Sequence, residues 1–306
     1  MTKKTIPVIL DTDIGGDIDD TWALCMLLGC PELDLKMVVT EHGDTHYRAA
    51  LAAKYLEIAG RDDIPIGVGI EDLSYETDQN QADWLGEYQL SDYEGEVYED
   101  GVQAMIDFIM ASEETITIIA IGIVTNLAAA LAIEPRIAQK CKFVGMHGSI
   151  HLGYGGSPEI SAEANVVNDV PSFRTVMAAP WVDTLITPLD TCGLVVLEGD
   201  RYQQVYQSSL PRMKAVIENY VPWIKRVRWT KVSEAYTREK STTLFDCVAV
   251  YLAYAEDLCE IEYISVTTDD NGFNHIDPAG DKVRVATAWK DLEGFYDHLV
   301  ERLLAP

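Results

Sequence analysis

Positive charge is what this chain of 306 residues has least of. It carries 23 Lys and Arg against 50 Asp and Glu, a net charge of -27. Without clusters of Lys and Arg to hold phosphates, nucleic acid and anionic membranes are excluded as partners, and strongly anionic substrates are disfavoured. Most of the acidic excess serves solubility. The six cysteines (Cys25, Cys30, Cys141, Cys192, Cys247 and Cys259) show no C-x-x-C spacing and sit mostly in apolar runs. They are expected to be buried free thiols in a reducing compartment. The opening MTKKTIP is too short for a secretory leader before the first strand. One segment has the length of a membrane span, TITIIAIGIVTNLAAALAI at 115–133. It changes from β-branched to Ala/Leu-rich residues across Gly122, Thr125 and Asn126, and so reads as a buried strand, a turn and a helix. There is no internal repeat, low-complexity linker or compositional boundary. The expectation is a cytoplasmic protein with no membrane association, folded as a single domain over 1–306.

What the chain has is a regular alternation of short apolar runs with helical patterns. Strands are expected at IPVIL, LKMVVT, IPIGVG, TITIIAI, KFVGM and VDTLITPL, with helices such as DDTWALCMLLG and YRAALAAKYLEIAG after the first two. Runs buried on both faces with helices between them imply an α/β fold, an open, mostly parallel sheet with helices on both faces. After residue 198 helices dominate, including RMKAVIENYVPWIKRVRWTKV and LFDCVAVYLAYAEDL, and a late EYISVTTDDNGFNHIDPAGDKVRVATAW reads as antiparallel strands. Ligands of parallel sheets bind at the carboxyl ends of the strands. Those ends here carry polar clusters: DTDIGGDIDD, EHGDTH, GIVTN, MHGS and PLDTC. The stretch from about 71 to 98, rich in Asp, Glu, Tyr and Gln, is long for a connection and is expected to be a lid.

The densest cluster is VILDTDIGGDIDD, with Asp11, Asp13, Asp17, Asp19 and Asp20 inside ten residues. Carboxylates this close repel by ~1 kcal/mol per pair even in high dielectric. An EF-hand loop starting at Asp11 needs a bidentate acid at its twelfth position, which is Trp22. An Asp-nucleophile phosphatase would use Asp11 and Asp13 but leave the other three idle. A calcium site built from several carboxylates, with one acid left as general base, uses more of them. An acidic turn capping a helix through Asp19 is the plain structural reading.

The rest of the chain separates these. VILDTDIGGDIDDTWAL resembles the aspartate-rich signature of the inosine–uridine-preferring nucleoside hydrolase family, in a longer-spaced variant. The resemblance continues through EHGDTHYRAALAAKYLEIAGRDDIPIGVG, AIGIVTNLAAAL, AEANVVNDVPSF and LFDCVAVYL, in family order from residue 8 to about 255. It implies a nucleoside hydrolase-like fold with a Rossmann-like core, and Ca²⁺-dependent hydrolysis of the N-glycosidic bond of ribonucleosides to ribose and free base. Asp13 and Asp20 would ligate Ca²⁺ with the backbone carbonyl of Thr125 and the carboxylate of Asp246. Asp19 would be the general base, activating a water held at the cation. Glu163, Asn165, Asp44 and Ser157 would face the ribose, with Asp11 and Asp17 supporting the ligands. The resemblance also implies a homodimer or homotetramer and a role in nucleoside salvage. Ca²⁺ takes roughly six to eight oxygen ligands, so a ribose cis-diol could complete its shell, and an oxocarbenium-like transition state is stabilised by surrounding negative charge.

One departure concerns the leaving base. Many relatives have His just before the C-terminal Asp, linked to protonating that base; here the residue is Phe245. A phenyl ring donates no proton but stacks on a heterocycle. Candidate contacts on the base side are Phe245, Trp84, Tyr88, His42, His147, His151 and Tyr236, with Tyr88 or Tyr93 as possible proton donors. Two alternatives stay open: a Ca²⁺ and ribose binder whose leaving-group machinery has changed, and the Asp-nucleophile phosphatase.

Overall fold

The computed structural model describes residues 4–73, 79–229 and 233–306. Among these, ten strands form a single sheet: β1 (Ile6–Thr12), β2 (Leu33–Thr40), β3 (Ile66–Val68), β4 (Val97–Tyr98), β5 (Ile116–Ala120), β6 (Cys141–Met146), β7 (Asp183–Thr187), β8 (Cys259–Thr268), β9 (Asn274–Ile276) and β10 (Asp281–Trp289). The spatial order is β4-β3-β2-β1-β5-β6-β7-β10-β8-β9. Every pairing from β4 to β10 is parallel; β8 joins β10 and β9 antiparallel. The six strands expected between residues 6 and 189 are all present. The late antiparallel strands do not stand apart; through β10 they extend the same sheet.

The chain runs outward from β1 through β2 and β3 to β4, then returns to the other side of β1 and runs through β5 and β6 to β7. The switch point therefore lies between β1 and β5, where the sheet opens a crevice at its carboxyl end. β1 is central, and its side chains alternate between two apolar layers. Val8 and Leu10 join the layer formed with α1 (Asp19–Leu28), α2 (Thr45–Ile58), α9 (Pro211–Arg226), α10 (Phe245–Leu252) and α11 (Leu292–Leu303). Ile9 joins the opposite layer with α4 (Gly101–Ala111), α5 (Thr125–Ile133) and α7 (Val170–Ala178). This two-sided burial is why the strand is a continuous apolar run up to Leu10; polar residues begin only at Asp11, at the carboxyl end of the sheet.

The 71–98 stretch is not a structureless loop. It contains the short α3 (Ala82–Leu85), a 3₁₀ turn at Leu90–Asp92 and β4 at the sheet edge. The lid expectation falls partly on residues 74–78, which lie outside the described residues. Residues from 79 onward are fastened to the body. Asn80 N–H donates to Gly15 O at 3.0 Å, and the buried Gln81 amide donates to Asp17 O at 2.9 Å while accepting from Thr21 Oγ1 at 3.0 Å.

Candidate active site

At the switch point the chain leaves β1 as Asp11-Thr12-Asp13, turns through Gly15 (φ +107°) and enters α1 at Asp19. Only glycine takes that φ without strain, and the turn aims the loop back over the sheet. Asp19 and Asp20 occupy the first turn of α1, where the helix dipole favours negative charge. Asp246 occupies the matching first turn of α10. The two helix starts converge, so carboxylate oxygens of Asp19, Asp20 and Asp246 lie within 4.8 Å of one another, all three buried. Burial pushes each of these acids well above the usual carboxylate range, and their neighbours add to it: Asp17 and Asp13 for Asp19, Asp13 and Asp19 for Asp20, and Asp19 and Asp20 for Asp246. Thr12 Oγ1 donates to Asp20. An all-oxygen donor set, buried and mutually repelling, fits a hard divalent cation.

These acids line a cavity of about 530 Å³. Asp13, Asp17, Glu163 and Asn165 share it, as do Phe245, His42 and Tyr236. Glu163 caps the short α6 (Ala164–Val167), accepting Asn165 N–H at 2.8 Å on one oxygen and Gly148 N–H at 3.0 Å on the other. Burial raises its pKa to about 7. Asn165 Nδ2 donates to Met146 O at 3.0 Å and Ile121 O at 3.2 Å, which leaves its Oδ1 to accept from a ligand. Asp11 lies behind the loop, fully buried, accepting from Asn126 Nδ2 at 2.8 Å; burial raises it to about 7.

Thr125 opens α5 directly after β5, and its hydroxyl, not the backbone carbonyl expected as a ligand, donates to Asp169 at 3.0 Å. Several other expected site residues do not line the cavity. Asp44 caps α2 through Tyr47 N–H at 2.9 Å and accepts from Gln79 at 2.8 Å, so its carboxylate is engaged outside the cavity. Ser157 Oγ accepts Glu159 N–H at 3.1 Å, also outside. His147 follows Met146 at the end of β6, and strand alternation sends the two to opposite faces. Met146 reaches the cavity, whereas His147 is buried between Phe143 and Phe173, its ring bonded to Gly122 O at 3.0 Å and its pKa lowered to about 4 by burial. Trp84 lies under Lys54, whose Nζ is 4.4 Å from the ring centre, and Tyr88 packs on the same apolar layer as α2. Tyr93 is buried and donates to Ile64 O at 2.7 Å; the exposed His151 is tied through its backbone to Asp190.

Several residues had no distinctive sequence signal. Tyr154, Trp223 and Trp229 join the aromatic wall of the cavity from three different loops and helices. Arg48, buried on α2, donates to His42 O at 2.6 Å and Ile14 O at 3.1 Å, holding His42 at a left-handed φ of 61°. Glu41, at the end of β2, is fully buried, its carboxylate beside Gly122. Only their neighbours in space mark them.

The fold and site are those of a parallel α/β protein that gathers buried carboxylates at its switch point, in a cavity that aromatic rings also line. The chain belongs to the inosine–uridine preferring nucleoside hydrolase family, whose model matches residues 8–297, and is an enzyme of that class. It is 24% identical over 276 residues to a probable uridine nucleosidase of Arabidopsis thaliana, covering 85% of this chain and 83% of that one. It is 32% identical over 190 residues to an inosine-uridine preferring nucleoside hydrolase of Leishmania major, covering 58% and 59%. A solved plant nucleoside hydrolase shares the fold, with a TM-score of 0.80 at 23% identity over 99% of this chain and 100% of that one.

Proposed function

We propose that this chain is a Ca²⁺-dependent nucleoside N-ribohydrolase in which Asp19 is the general base. The observation that carries the reading is the buried meeting of Asp19, Asp20 and Asp246 in the lining of the cavity. Asp13, Asp20 and Asp246 would hold the cation with the Thr125 carbonyl, and Asp11 and Asp17 would support them. When bound, Ca²⁺ supplies a docking point for vicinal hydroxyls and lowers the pKa of a nearby water. Glu163 and Asn165 would orient the ribose, their geometry fixed by the backbone groups around them. Asp19 takes a proton from water as that water attacks the anomeric carbon. Negative charge around the sugar stabilises the developing oxocarbenium ion. Phe245 would stack on the base. The same reading treats 1–306 as one domain, supported by the continuous sheet, and places the enzyme in cytoplasmic nucleoside salvage as a homo-oligomer. No described helix is long and apolar enough to cross a membrane. A phosphatase is disfavoured because no Lys or Arg is among the described residues lining the cavity.

The test is ribose release from purine and pyrimidine ribonucleosides and their 2′-deoxy analogues, with calcium content measured on the same samples. Asp19→Asn should lower turnover by about 10²–10⁴-fold with calcium retained, and the deoxy analogues should be poor. Undiminished turnover in Asp19→Asn would remove the general-base role. Bound calcium with no ribose released from any nucleoside would make the protein a binder.

A further inference from the structure

We propose that the ribosides this cavity hydrolyses best are those whose heterocycle already carries a positive charge, such as N-quaternised purine and pyridinium ribosides. The inference rests on the hydrolase reading and concerns which leaving group that site accepts.

A neutral purine or pyrimidine departs as an anion unless an acid protonates it. A quaternised ring does not need that acid. As the water oxygen bonds to the anomeric carbon, the carbon–nitrogen bond breaks and its electron pair passes to the ring nitrogen, turning the cationic ring neutral. One water proton goes to the Asp19 carboxylate and then to solvent, and nothing is oxidised or reduced.

The cavity walls match this requirement. The residue preceding Asp246 is Phe245, which has no proton to give. Tyr154 meets it edge-on, ring centres 6.1 Å apart at 85°, and Trp223 and Trp229 meet at 6.3 Å and 71°. Tyr236 lines the same cavity, and aromatic rings attract cations. The Tyr154 hydroxyl already accepts Ala164 N–H at 2.9 Å, and burial makes it harder to ionise, so it is a poor acid. Charge points the same way. Asp13, Asp17, Asp19, Asp20, Glu163 and Asp246 all line the cavity, with no Lys or Arg among its described lining residues. An acid-rich lining of this kind favours a cationic ligand over an anionic one. His42, the one imidazole among the described lining residues, is the competing acid.

The experiment compares kcat/KM of the calcium-loaded enzyme for guanosine, N7-methylguanosine, a 3-carbamoylpyridinium riboside and 4-nitrophenyl β-D-riboside. The last is neutral and leaves without protonation, so it reports the ribose and water machinery alone. The expected result is turnover of the nitrophenyl riboside, a preference of at least about 100-fold for N7-methylguanosine over guanosine, and efficient cleavage of the pyridinium riboside. Trp229→Ala should raise KM for N7-methylguanosine more than for the nitrophenyl riboside, because only the former loses a cation–π contact. Phe245→His should raise guanosine turnover and narrow the gap. Turnover of the nitrophenyl riboside with guanosine cleaved as fast as its N7-methyl derivative would overturn the inference and leave the hydrolase reading standing. So would a His42→Ala enzyme that loses guanosine turnover alone, since His42 would then be the acid. Failure to cleave any of the four would overturn the hydrolase reading and this inference with it.

Discussion

Asn126 shows how a single side chain supports a charge cluster that it does not join. Its Nδ2 donates to Asp11 Oδ1 at 2.8 Å and to Thr40 O at 3.1 Å, and its Oδ1 accepts Ile70 N–H at 2.9 Å. One amide thus ties the ends of β1 and β2, the segment after β3 and the start of α5. Asn126→Ala leaves two buried acceptors, the Asp11 carboxylate and the Thr40 carbonyl, without the amide that donates to them, which costs about 1–3 kcal/mol each. Chemical denaturation should show a loss of at least about 2 kcal/mol, whereas an exposed asparagine would show almost none. Thr125-Asn126 reads in the sequence as a turn between strand and helix, which it is. Nothing in one sequence reveals that the amide reaches Asp11, since 115 positions separate them.

At the scale of elements, the 79–85 segment acts as a brace. Gln81 binds Thr21 on α1, the Asp17 carbonyl in the aspartate loop and Asn219 on α9, and Trp223 Nε1 on the same helix donates to Gly16 O at 3.1 Å. The aspartate loop is therefore clamped by two distant parts of the chain, the 79–85 segment and α9. Gln81→Ala should destabilise the protein by about 1–3 kcal/mol, because it strands buried partners. It should also speed amide exchange at 14–18 selectively, which hydrogen exchange with mass spectrometry would detect. Unchanged exchange there would mean the brace is dispensable. A stretch rich in Asp, Glu, Tyr and Gln suggests a lid by composition. Its docking is invisible to composition because the amides that hold it look like any surface glutamine or asparagine.

For the whole molecule, the acidic balance and the buried acids make stability depend on pH and on a cation together. Asp11 and Glu163, each raised to about 7 by burial, favour the folded state when protonated. Their contribution is complete below the unfolded carboxylate range near pH 4 and is lost as pH rises through about 7. Chelator-treated protein should therefore melt at a lower temperature at pH 8 than at pH 5, by an amount on the order of a few kcal/mol in stability. Added calcium should raise the melting temperature more at pH 8, where the carboxylates it binds are ionised. A calcium shift equal at both pH values would show that the cation does not meet these acids.

By itself the sequence determined the alternating α/β pattern, the parallel sheet and the aspartate loop at the end of its first strand. Those follow from local periodicity and from the chemical oddity of five acids in ten residues. It also marked Asp246, an acid in an apolar run that is costly to bury without a partner. The tertiary structure alone decided which side chains face the cavity. It turned Met146 inward and His147 into the core, spent Asp44 on a helix cap and brought Tyr154, Trp223 and Trp229 to one cavity. The reason is physical. Periodicity fixes which residues are buried, but the wall of a cavity is assembled from strands, helices and loops far apart in the chain. Their side chains meet only once the sheet order places α1, α9 and α10 over the same end of β1.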